Sequence, residues 1–477
     1  MNPGVVRYMR LLIFGLGDHY RKYKRWIRDE LIVGLLDNDK GKQGSEIDGH
    51  IVYSPDEIDI LSYDLIVILS VHEPQMRKQL INLRVDQENI IGSSELSMHR
   101  EILRPKEAAV IYEPGQPERE MTEYAPDDNT ILLMSPNLDV NGATAVLVNA
   151  AQCLMELGYR VLFASWCDGL MRQPLEDLGI PVVVDLNLEI ETAYNIPWLR
   201  GFQLIVCNTV HYYTFLSHKD PDSRFIWWLH EPPFFYGSIN TGRLHKVDYG
   251  NIRVCSAGPL AAEAFKNFIP EAEVLPLAYG LPDIEMRQLK NADSSRLEML
   301  IPANVQTYKG QDILVDAVAR LTEQERDRIH IEIIGNNDSA FAKEQIVRAR
   351  QYGDCIEFIP FMEREKVEDH LIKAYVLICP SREDVMPVSV CEAMQRSIPC
   401  IVSDTIGSAG FITDEYDGLI FRSEDADGLA DKIRWCINNT DLLSEMGKRS
   451  RKIYEENFSM EAFKKNIANI VNDIMRL

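Results

Sequence analysis

Continuous apolar runs alternate with segments of helical periodicity over most of the chain. Short apolar runs bounded by polar loops are typical of parallel strands that are covered on both faces. In the C-terminal part, such runs occupy residues 297–302, 330–334, 356–360, 376–379 and 399–402. Segments with helical spacing lie between them, at residues 311–321, 340–350, 366–374 and 388–394. This alternation predicts a doubly wound α/β unit, and three further helical segments follow it, at residues 425–438, 442–457 and 460–475.

The middle of the chain shows the same alternation. Predicted strands lie at residues 131–134, 160–164, 181–184, 203–207 and 224–229. A helical pattern over 145–157 ends at Gly158, a natural helix stop. We therefore expect two consecutive Rossmann-like domains, at 130–281 and 282–477, preceded by a proline-rich linker at 105–129. Open parallel sheets bind ligands beyond the carboxyl ends of their strands, so two facing sheets predict a ligand cleft between them.

The N-terminal part, residues 1–104, predicts an additional, smaller Rossmann-like domain. A strand is followed by Gly15-Leu16-Gly17, a helical stretch and a second strand that ends at Asp37. This is half of a dinucleotide-binding fingerprint, since Tyr20 stands where the third glycine would be. Gly15, Gly17 and Asp37 are therefore a candidate nucleotide or nucleotide-sugar site. A structural or partner-binding module is the alternative.

The net charge narrows the classes of partner. The chain has 477 residues, with 50 Lys and Arg against 73 Asp and Glu, a formal net charge of −23. Sequence-independent nucleic-acid binding depends on phosphate neutralisation, so we expect no nucleic-acid partner. The basic run 21–28 is an exception, and it predicts either a solvated helix face or a contact with lipid head groups or an acidic protein.

Cysteine use and hydropathy bear on the cellular location. Nine cysteines are spread over the chain without a CxxC pair, which favours reduced, buried thiols and argues against a zinc site. The N-terminus is charged and lacks the apolar core of a signal peptide, and the apolar runs are shorter than a membrane-spanning helix. We expect a cytoplasmic protein, with peripheral contact at the inner membrane face or with a protein complex left open.

Two carboxylates follow the predicted strand 376–379. Asp384 lies in the loop, and Glu392 lies about a turn and a half inside the next helix, which begins near Pro387. Carboxylates so placed can accept hydrogen bonds from different hydroxyls of one polyol, while backbone N–H groups at the helix start can bind phosphate. The alternative is an acidic N-cap followed by a solvated glutamate.

The segment 380–394 resembles the E-x7-E segment of the retaining glycosyltransferases of family GT4, here as Asp384-x7-Glu392. Glu383 lies beside the substituted first position and is a second candidate for its role. Further resembling segments, in the family's order, are Asn141-Gly142-Ala143, His230-Glu231, Lys309-Gly310, Gly335 and 399–404. The resemblance covers residues 130–477. It implies the GT-B fold of two facing Rossmann-like domains, preceded here by the additional N-terminal domain.

The resemblance assigns roles to particular residues. In the family, the lysine contacts the donor diphosphate, the first carboxylate region contacts the donor sugar, the second glutamate holds the ribose, and the histidine lies near the reacting sugar. The implied catalytic residues are His230, Lys309 and Asp384. The implied donor-binding residues are Gly142, Ala143, Lys309, Gly335, Arg382, Glu383, Asp384, Met386, Pro387 and Glu392. The implied co-substrate is a UDP- or GDP-sugar, with no cofactor and no bound metal required.

One departure from the family bears on activity. An arginine usually precedes the lysine, whereas residues 303–308 contain none. Positive charge there stabilises the leaving diphosphate, and Arg382 is a candidate substitute from the neighbouring loop. Two hypotheses follow. The first is a glycosyltransferase of surface polysaccharide or glycoconjugate assembly, acting on a saccharide, lipid-linked or protein-linked acceptor. The second is a weakly active GT-B-like binding or regulatory subunit.

Two further interpretations concern the N-terminal part and the surroundings of His230. Residues 11–70 resemble the N-terminal domains of bacterial sugar acetyltransferases, which indicates sugar metabolism. A nicotinamide-dependent sugar oxidoreductase acting through Gly15-Leu16-Gly17 is a third functional hypothesis. His230 is either a site residue or a structural histidine. The aromatic residues near it, which predict either an acceptor groove or core packing, are Trp227, Trp228, Phe234, Phe235 and Tyr236.

Overall fold

The computed structural model describes residues 9–24, 27–70, 72–99, 102, 109–139, 141–190, 196–239, 241–284 and 296–476. The chain divides between residues 108 and 109 into two compact units. The basic run predicted at 21–28 is described in part, because residues 25 and 26 lie outside these ranges.

The first unit is a small α/β domain. Its elements are β1 (Leu11–Phe14), α1 (Asp18–Tyr23), β2 (Ile32–Leu36), β3 (Glu46–Ile47), β4 (His50–Tyr53), β5 (Leu65–Ile68), α2 (Glu73–Asn82) and β6 (Ile90–Gly92). The strands form one sheet in the order β3-β4-β2-β1-β5-β6. The β3–β4 pair is antiparallel and the other pairs are parallel. All residues of β1 and β5 are buried, as expected for central strands covered on both faces.

The second unit consists of two lobes, of which the first comprises residues 109–281. Its strands are β7 (Ala109–Tyr112), β8 (Arg119–Met121), β9 (Thr130–Ser135), β10 (Arg160–Ser165), β11 (Val182–Val184), β12 (Leu204–Asn208), β13 (Arg224–Leu229), β14 (Ile252–Ser256) and β15 (Val274–Pro276). Its helices are α3 (Gly142–Glu156), α4 (Arg172–Asp177), α5 (Asn187–Ile190), α6 (Tyr213–Leu216) and α7 (Pro259–Lys266). The sheet order is β15-β14-β13-β12-β9-β10-β11-β7-β8.

The second lobe is a parallel sheet covered by helices. Its strands are β16 (Leu297–Pro302), β17 (Ile329–Ile334), β18 (Ile356–Ile359), β19 (Val376–Cys379), β20 (Cys400–Ser403) and β21 (Leu419–Phe421), in the order β18-β17-β16-β19-β20-β21. The helices from here to the C-terminus are α8 (Gln311–Ala319), α9 (Glu323–Arg326), α10 (Ala340–Ala349), α11 (Arg364–Leu371), α12 (Val388–Gln395), α13 (Ala426–Asn438), α14 (Thr440–Asn457) and α15 (Met460–Ile474). All five predicted strands of this lobe are present.

The predicted linker differs from the structure. Within residues 105–129, β7 and β8 form an antiparallel pair, and β7 also pairs antiparallel with β11. The prolines of this segment therefore delimit two short strands at the edge of the first lobe's sheet. Proline and glycine signals identify the ends of such strands but not their partners, because β11 lies far along the chain.

The C-terminal helix α15 packs against the first lobe, on α3, β13 and β14. The Phe463 ring stacks on Trp228 with centroids 5.6 Å apart, and Lys464 pairs with Glu156 at 2.9 Å. A Cβ on Gly280 would lie 2.7 Å from the Phe463 Cβ, so glycine is needed for this close approach. The chain thus crosses from the first lobe to the second and back, which ties the lobes together.

All nine cysteines are free thiols, and all except the half-buried Cys167 are buried. Burial raises the pKa of the thiols that line the sheets, for example to about 11 for Cys379, which makes them poor nucleophiles. In the described part of the chain, every helix is too short or too polar to cross a bilayer.

Candidate active site

A cleft of about 280 Å³ lies between the two lobes of the second unit. The first lobe contributes Gly142, Ala143, Val146, His230, Pro232, Phe234, Ala257 and Tyr279 to its walls. The second lobe contributes Tyr308, Lys309, Glu383, Asp384, Val385, Met386 and Val388. Most of these residues follow the carboxyl ends of β9, β13, β16 and β19, where open parallel sheets place their ligand sites. The structure therefore brings Gly142, Ala143, His230, Lys309, Glu383, Asp384 and Met386, all predicted from sequence, into one cleft.

Two helix N-termini reach this cleft from opposite lobes. Helix α3 begins at Gly142, and the side chain of its N-cap, Asn141, accepts the Thr144 N–H at 2.9 Å. Helix α12 begins at Val388, immediately after Pro387. A Cβ on Gly142 would lie 3.7 Å from the Val388 side chain, so the two first turns face each other. Unpaired backbone N–H groups and the helix dipoles make such a junction favourable for an anion.

Lys309 supplies the positive side chain of the cleft. Its Nζ donates to Asp384 Oδ2 at 2.5 Å, and it lies 5.2 Å from the centroid of the Tyr308 ring. Burial alone would lower the pKa of Lys309, but the charge and hydrogen bond of Asp384 outweigh it and raise the pKa above its usual value. Lys309 is therefore a fixed cation whose charge is shared with a neighbouring carboxylate.

A close contact between two loops positions Lys309. Gly310 has φ +70°, and a Cβ there would lie 2.0 Å from the Pro380 carbonyl oxygen. Only glycine fits both the left-handed turn and this approach. The Arg382 backbone N–H donates to the Tyr308 carbonyl at 2.8 Å, which joins the same two loops. The lysine is thus held by the loop that carries Asp384.

The guanidinium of Arg382, the predicted substitute for the missing arginine, is paired outside the cleft lining in this structure. Its guanidinium makes a bidentate pair with Asp312 at 2.8 and 2.9 Å, and it also bonds to Glu424 and to the Thr307 carbonyl. It lies outside the cleft lining. Arg382 instead braces the loop that precedes Lys309, because a bidentate pair fixes both distance and orientation.

Three other predicted donor residues lie outside the lining, namely Gly335, Pro387 and Glu392. A Cβ on Gly335 would lie 2.5 Å from the Ala303 carbonyl oxygen, so this glycine allows two loops to pack closely. Pro387 ends the loop before α12, and Glu392 is buried within that helix. Glu383, in contrast, lines the cleft, and its buried Oε2 has no hydrogen-bond partner among the described residues. A ligand hydroxyl could satisfy that oxygen.

His230 is uncharged where it meets the cleft. Burial lowers the pKa of its imidazole to about 3. The ring lies against Trp228, with centroids 4.7 Å apart, and Nε2 is 2.7 Å from Asn208 Oδ1. At neutral pH this histidine is therefore a neutral imidazole, which can exchange hydrogen bonds with a ligand but lacks the extra proton of an imidazolium acid.

Glu231 is a buried carboxylate beside His230, and sequence reasoning gave it no role of its own. Its Oε2 accepts the backbone N–H groups of His230 and Val210, both at 3.0 Å. Burial raises the pKa of Glu231 to about 7, against the lowering effect of these N–H groups. Glu231 thus ties the ends of β12 and β13 together without lining the cleft.

Of the aromatic residues near His230, three belong to the core and one lines the cleft. Trp227, Trp228 and Tyr236 are buried core residues. Phe234 is 56% exposed, lines the cleft, and contacts Tyr308 of the other lobe with ring centroids 5.9 Å apart. Sequence reasoning did not single out Tyr308, although its position next to Lys309 was a usable signal.

Asp37, the candidate carboxylate of the N-terminal domain, is bonded to neighbouring residues of its own domain. Asp37 is buried, its Oδ2 accepts the Leu16 N–H at 3.0 Å, and its Oδ1 accepts the Asp39 N–H at 2.8 Å. Lys42 pairs with Oδ2 at 3.2 Å. Gly15 has φ +96°, whereas Gly17 has open space around its Cβ position. Oδ2 of Asp37 therefore braces the Gly15-Leu16-Gly17 turn and Oδ1 braces the loop after β2, so ribose binding by Asp37 would have to compete with these bonds.

Comparison with solved structures identifies the fold. The crystal structure of Anabaena Alr3699/HepE in complex with UDP and glucose matches with a TM-score of 0.58 at 16% identity, covering 72% of this chain and 99% of that one. Similar structures are GT-B glycosyltransferases, and the predicted fold class is therefore confirmed: an α/β GT-B fold with an additional N-terminal α/β domain.

Sequence comparison indicates which group of glycosyltransferases the chain resembles. Residues 283–453 match the family model Glycosyl transferases group 1, and residues 7–91 match the model C2185-like, N-terminal. The chain is 23% identical over 234 residues to alpha-D-kanosaminyltransferase of Streptomyces kanamyceticus, covering 49% of this chain and 55% of that protein. It is 24% identical over 187 residues to the putative colanic acid biosynthesis glycosyltransferase WcaL of Escherichia coli, covering 38% and 46%. The chain thus spans about half the length of these relatives and has the GT-B fold of group 1 glycosyltransferases.

Proposed function

We propose that the chain is a glycosyltransferase that moves a sugar from a nucleotide-diphosphate sugar to a saccharide, lipid-linked or protein-linked acceptor. The observation that carries the proposal is the convergence of the α3 N-terminus, Lys309 and the Glu383–Asp384 pair on one interlobe cleft. This set combines groups that bind a diphosphate with groups that bind sugar hydroxyls. The cleft walls also come from two lobes, so that a bound donor would be enclosed.

We assign each of these residues a separate role in the proposed reaction. A diphosphate at the facing turns of α3 and α12 would meet backbone N–H groups and Lys309, which can neutralise the charge that develops as it leaves. The unpartnered Glu383 oxygen and Asp384 would accept hydroxyls of the donor sugar. His230, being neutral, would contribute a hydrogen bond near the reacting carbon. The resemblance supports Glu392 as the partner of the ribose hydroxyls and Met386 as part of the sugar pocket.

Further details of the proposed reaction rest on the resemblance and on the relatives. Retention of the anomeric configuration and independence from metal ions follow from the likeness to family GT4. A UDP-sugar donor is supported by the UDP and UDP-glucose bound in similar structures. A role in surface polysaccharide assembly is supported by the colanic acid relative. A cytoplasmic location, with peripheral membrane contact, suits a transferase that uses soluble nucleotide sugars.

The test is nucleotide release from a panel of UDP- and GDP-sugars, with and without EDTA, in the presence of simple glycoside acceptors. We expect one donor to give turnover above that of the Lys309→Ala variant, unaffected by EDTA. NMR of the product should show the anomeric configuration of the donor. Binding of every donor without release of nucleotide would contradict the proposed activity.

A second candidate function is a GT-B-like binding or regulatory subunit with little turnover. It is favoured by the charge of the cleft, because Lys309 is the one Lys or Arg among the described residues lining it and is paired with Asp384. Titration calorimetry with UDP separates the two functions. Micromolar binding with no nucleotide release from any donor would favour the regulatory subunit.

A further inference from the structure

Asn208 lies behind His230 at the end of β12, fully buried. Its Nδ2 donates to the Ala143 carbonyl oxygen at 3.0 Å, and its Oδ1 lies 2.7 Å from His230 Nε2. The Asn208 side chain therefore links the first turn of α3 to the ring of His230. Asn208 was not among the site residues predicted from the sequence, and neither was its link to His230.

The chemistry of these groups determines where the histidine proton is. A carbonyl oxygen only accepts, so the amide NH₂ of Asn208 must face Ala143. Its Oδ1 then faces His230 and can also only accept, so Nε2 must carry hydrogen. In a neutral ring the other nitrogen, Nδ1, is then the acceptor. The hydrogen-bond chain thus selects one tautomer of His230.

The backbone around Asn208 is held in a strained conformation. Thr209 has φ +94°, which a β-branched residue rarely adopts. Its N–H donates to the Trp228 carbonyl and its carbonyl accepts from Trp227 Nε1, both at 2.8 Å. Glu231 holds the next N–H, that of Val210. Strain that neighbouring bonds over-determine in this way is typical of positions that orient a functional group.

We infer that Asn208 is a positioning residue that fixes His230 as its Nε2–H tautomer and holds the ring in register with the N-terminal turn of α3. The inference rests on the proposed function, in which that turn and His230 act on the same donor. Its consequence is that His230 presents Nδ1 as an acceptor to a hydroxyl of the donor sugar. Loss of Asn208 should therefore affect turnover more than donor binding.

The tautomer can be measured without any assay of activity. Protein labelled with ¹⁵N and ¹³C at histidine is examined by NMR near pH 7.5, and the His230 signals are assigned by their loss in His230→Gln. In the unmodified protein we expect a protonated Nε2 and an unprotonated Nδ1. A protonated Nδ1 with a bare Nε2 would overturn the inference, whether or not the chain is a transferase.

Variants extend the test to function. Asn208→Leu keeps the side-chain volume but removes both bonds, so we expect mixed tautomer signals and a kcat lower by about tenfold or more, with the donor KM within about threefold. Asn149→Leu is the matched control, because it removes a similar bond to the Gly280 carbonyl, 2.7 Å long, away from His230. Asn208→Leu that folds and leaves both the His230 signals and kcat unchanged would refute the inference.

If Asn208→Leu does not fold, the tautomer in the unmodified protein decides. A protein that shows the expected tautomer but releases no nucleotide from any donor would leave the positioning geometry intact and contradict only the proposed function. The two failures are therefore distinguishable.

Discussion

The Lys309 ammonium donates to Asp384 Oδ2 across 2.5 Å, between two loops of the second lobe. Both side chains line the cleft, and both are mostly buried. An ion pair in this position reduces the positive charge available to a diphosphate and also orients the lysine. A donor would have to share Lys309 with Asp384, so the two residues should affect binding and turnover in different ways.

Replacement of Lys309 by glutamine should reduce kcat by about 10²–10³, because the leaving diphosphate loses its one cationic side-chain partner in the described cleft. Nucleotide release under donor saturation measures this. Lys432→Gln is the matched control, since Lys432 is similarly buried and pairs with Asp414 and Glu415 away from the cleft. Equal kcat values for the two variants would show that Lys309 does not contact the leaving group.

Replacement of Asp384 by asparagine should have opposite effects on binding and turnover. Free UDP should bind about three- to fivefold more tightly, because the Lys309 charge is no longer shared. The kcat should fall, because the donor sugar loses a hydroxyl acceptor. Calorimetry with UDP and steady-state kinetics give the two values, with Asp414→Asn as the control pair. Weaker UDP binding by Asp384→Asn would show that Asp384 positions Lys309 more than it neutralises it.

Gly310→Ala should destabilise the second lobe more than a left-handed glycine alone explains. A Cβ at residue 310 would meet the Pro380 carbonyl at 2.0 Å, so the loop must move. Gly179 has a similar φ, +78°, with open space around it, and Gly179→Ala therefore measures the backbone cost alone, about 1 kcal/mol. We expect a lower melting temperature and a lower kcat for Gly310→Ala than for Gly179→Ala. Matching melting temperatures would mean that the contact with Pro380 is easily relaxed.

Most of the fold was accessible from the sequence for a simple physical reason. Parallel strands covered on both faces are mostly apolar, so β19 is visible as an uninterrupted run and β16 as a run broken only by Glu298. The edge strands β7 and β8 were not, because they are short, partly exposed and paired with a strand far along the chain. Their residues carry turn signals that suit a linker equally well.

The loops that form the site were predictable from the sequence, but the directions of their side chains were not. Lys309 and Asp384 follow neighbouring strands of one sheet, so their meeting follows from topology. Arg382 follows the same strand as Asp384. Its guanidinium nevertheless pairs with Asp312, which lies 70 residues earlier in the sequence. No sequence motif identifies Glu231 as a buried carboxylate or Asn208 as an amide that orients a neighbouring side chain. Their roles depend on how β12 lies beside β13.

The exposed ring of Phe234 provides a prediction about the acceptor. Phe234→Ala should raise the acceptor KM about tenfold while the donor KM stays unchanged, because an aromatic face at the cleft mouth can stack on a sugar ring. Phe361→Ala is the control, since Phe361 is 68% exposed outside the cleft lining. Steady-state kinetics with each substrate varied in turn separates the effects. A change confined to the donor KM would place this ring against the donor instead.

The buried Glu231 carboxylate predicts a pH dependence of stability. Its pKa is about 7 in the folded chain against an ordinary value of 4.5, so the folded state binds more protons between these values. The free energy of unfolding of the first lobe should therefore fall as pH rises from about 4.5 to about 7, by about 3 kcal/mol. His230 acts in the opposite sense, since its lowered pKa adds stability as pH rises from about 3 to 6.5.

Glu231→Gln isolates the carboxylate, because the contribution of His230 is common to both proteins. The variant's stability relative to the unmodified chain should increase by about 2–3 kcal/mol between pH 5 and pH 8. Urea unfolding followed by tryptophan fluorescence measures this, since Trp227 and Trp228 lie in the same strand end. Glu456→Gln, an exposed change on α14, should show no such trend. Parallel pH profiles for Glu231→Gln and the unmodified protein would mean that Glu231 is ionised throughout, stabilised by the His230 and Val210 N–H groups.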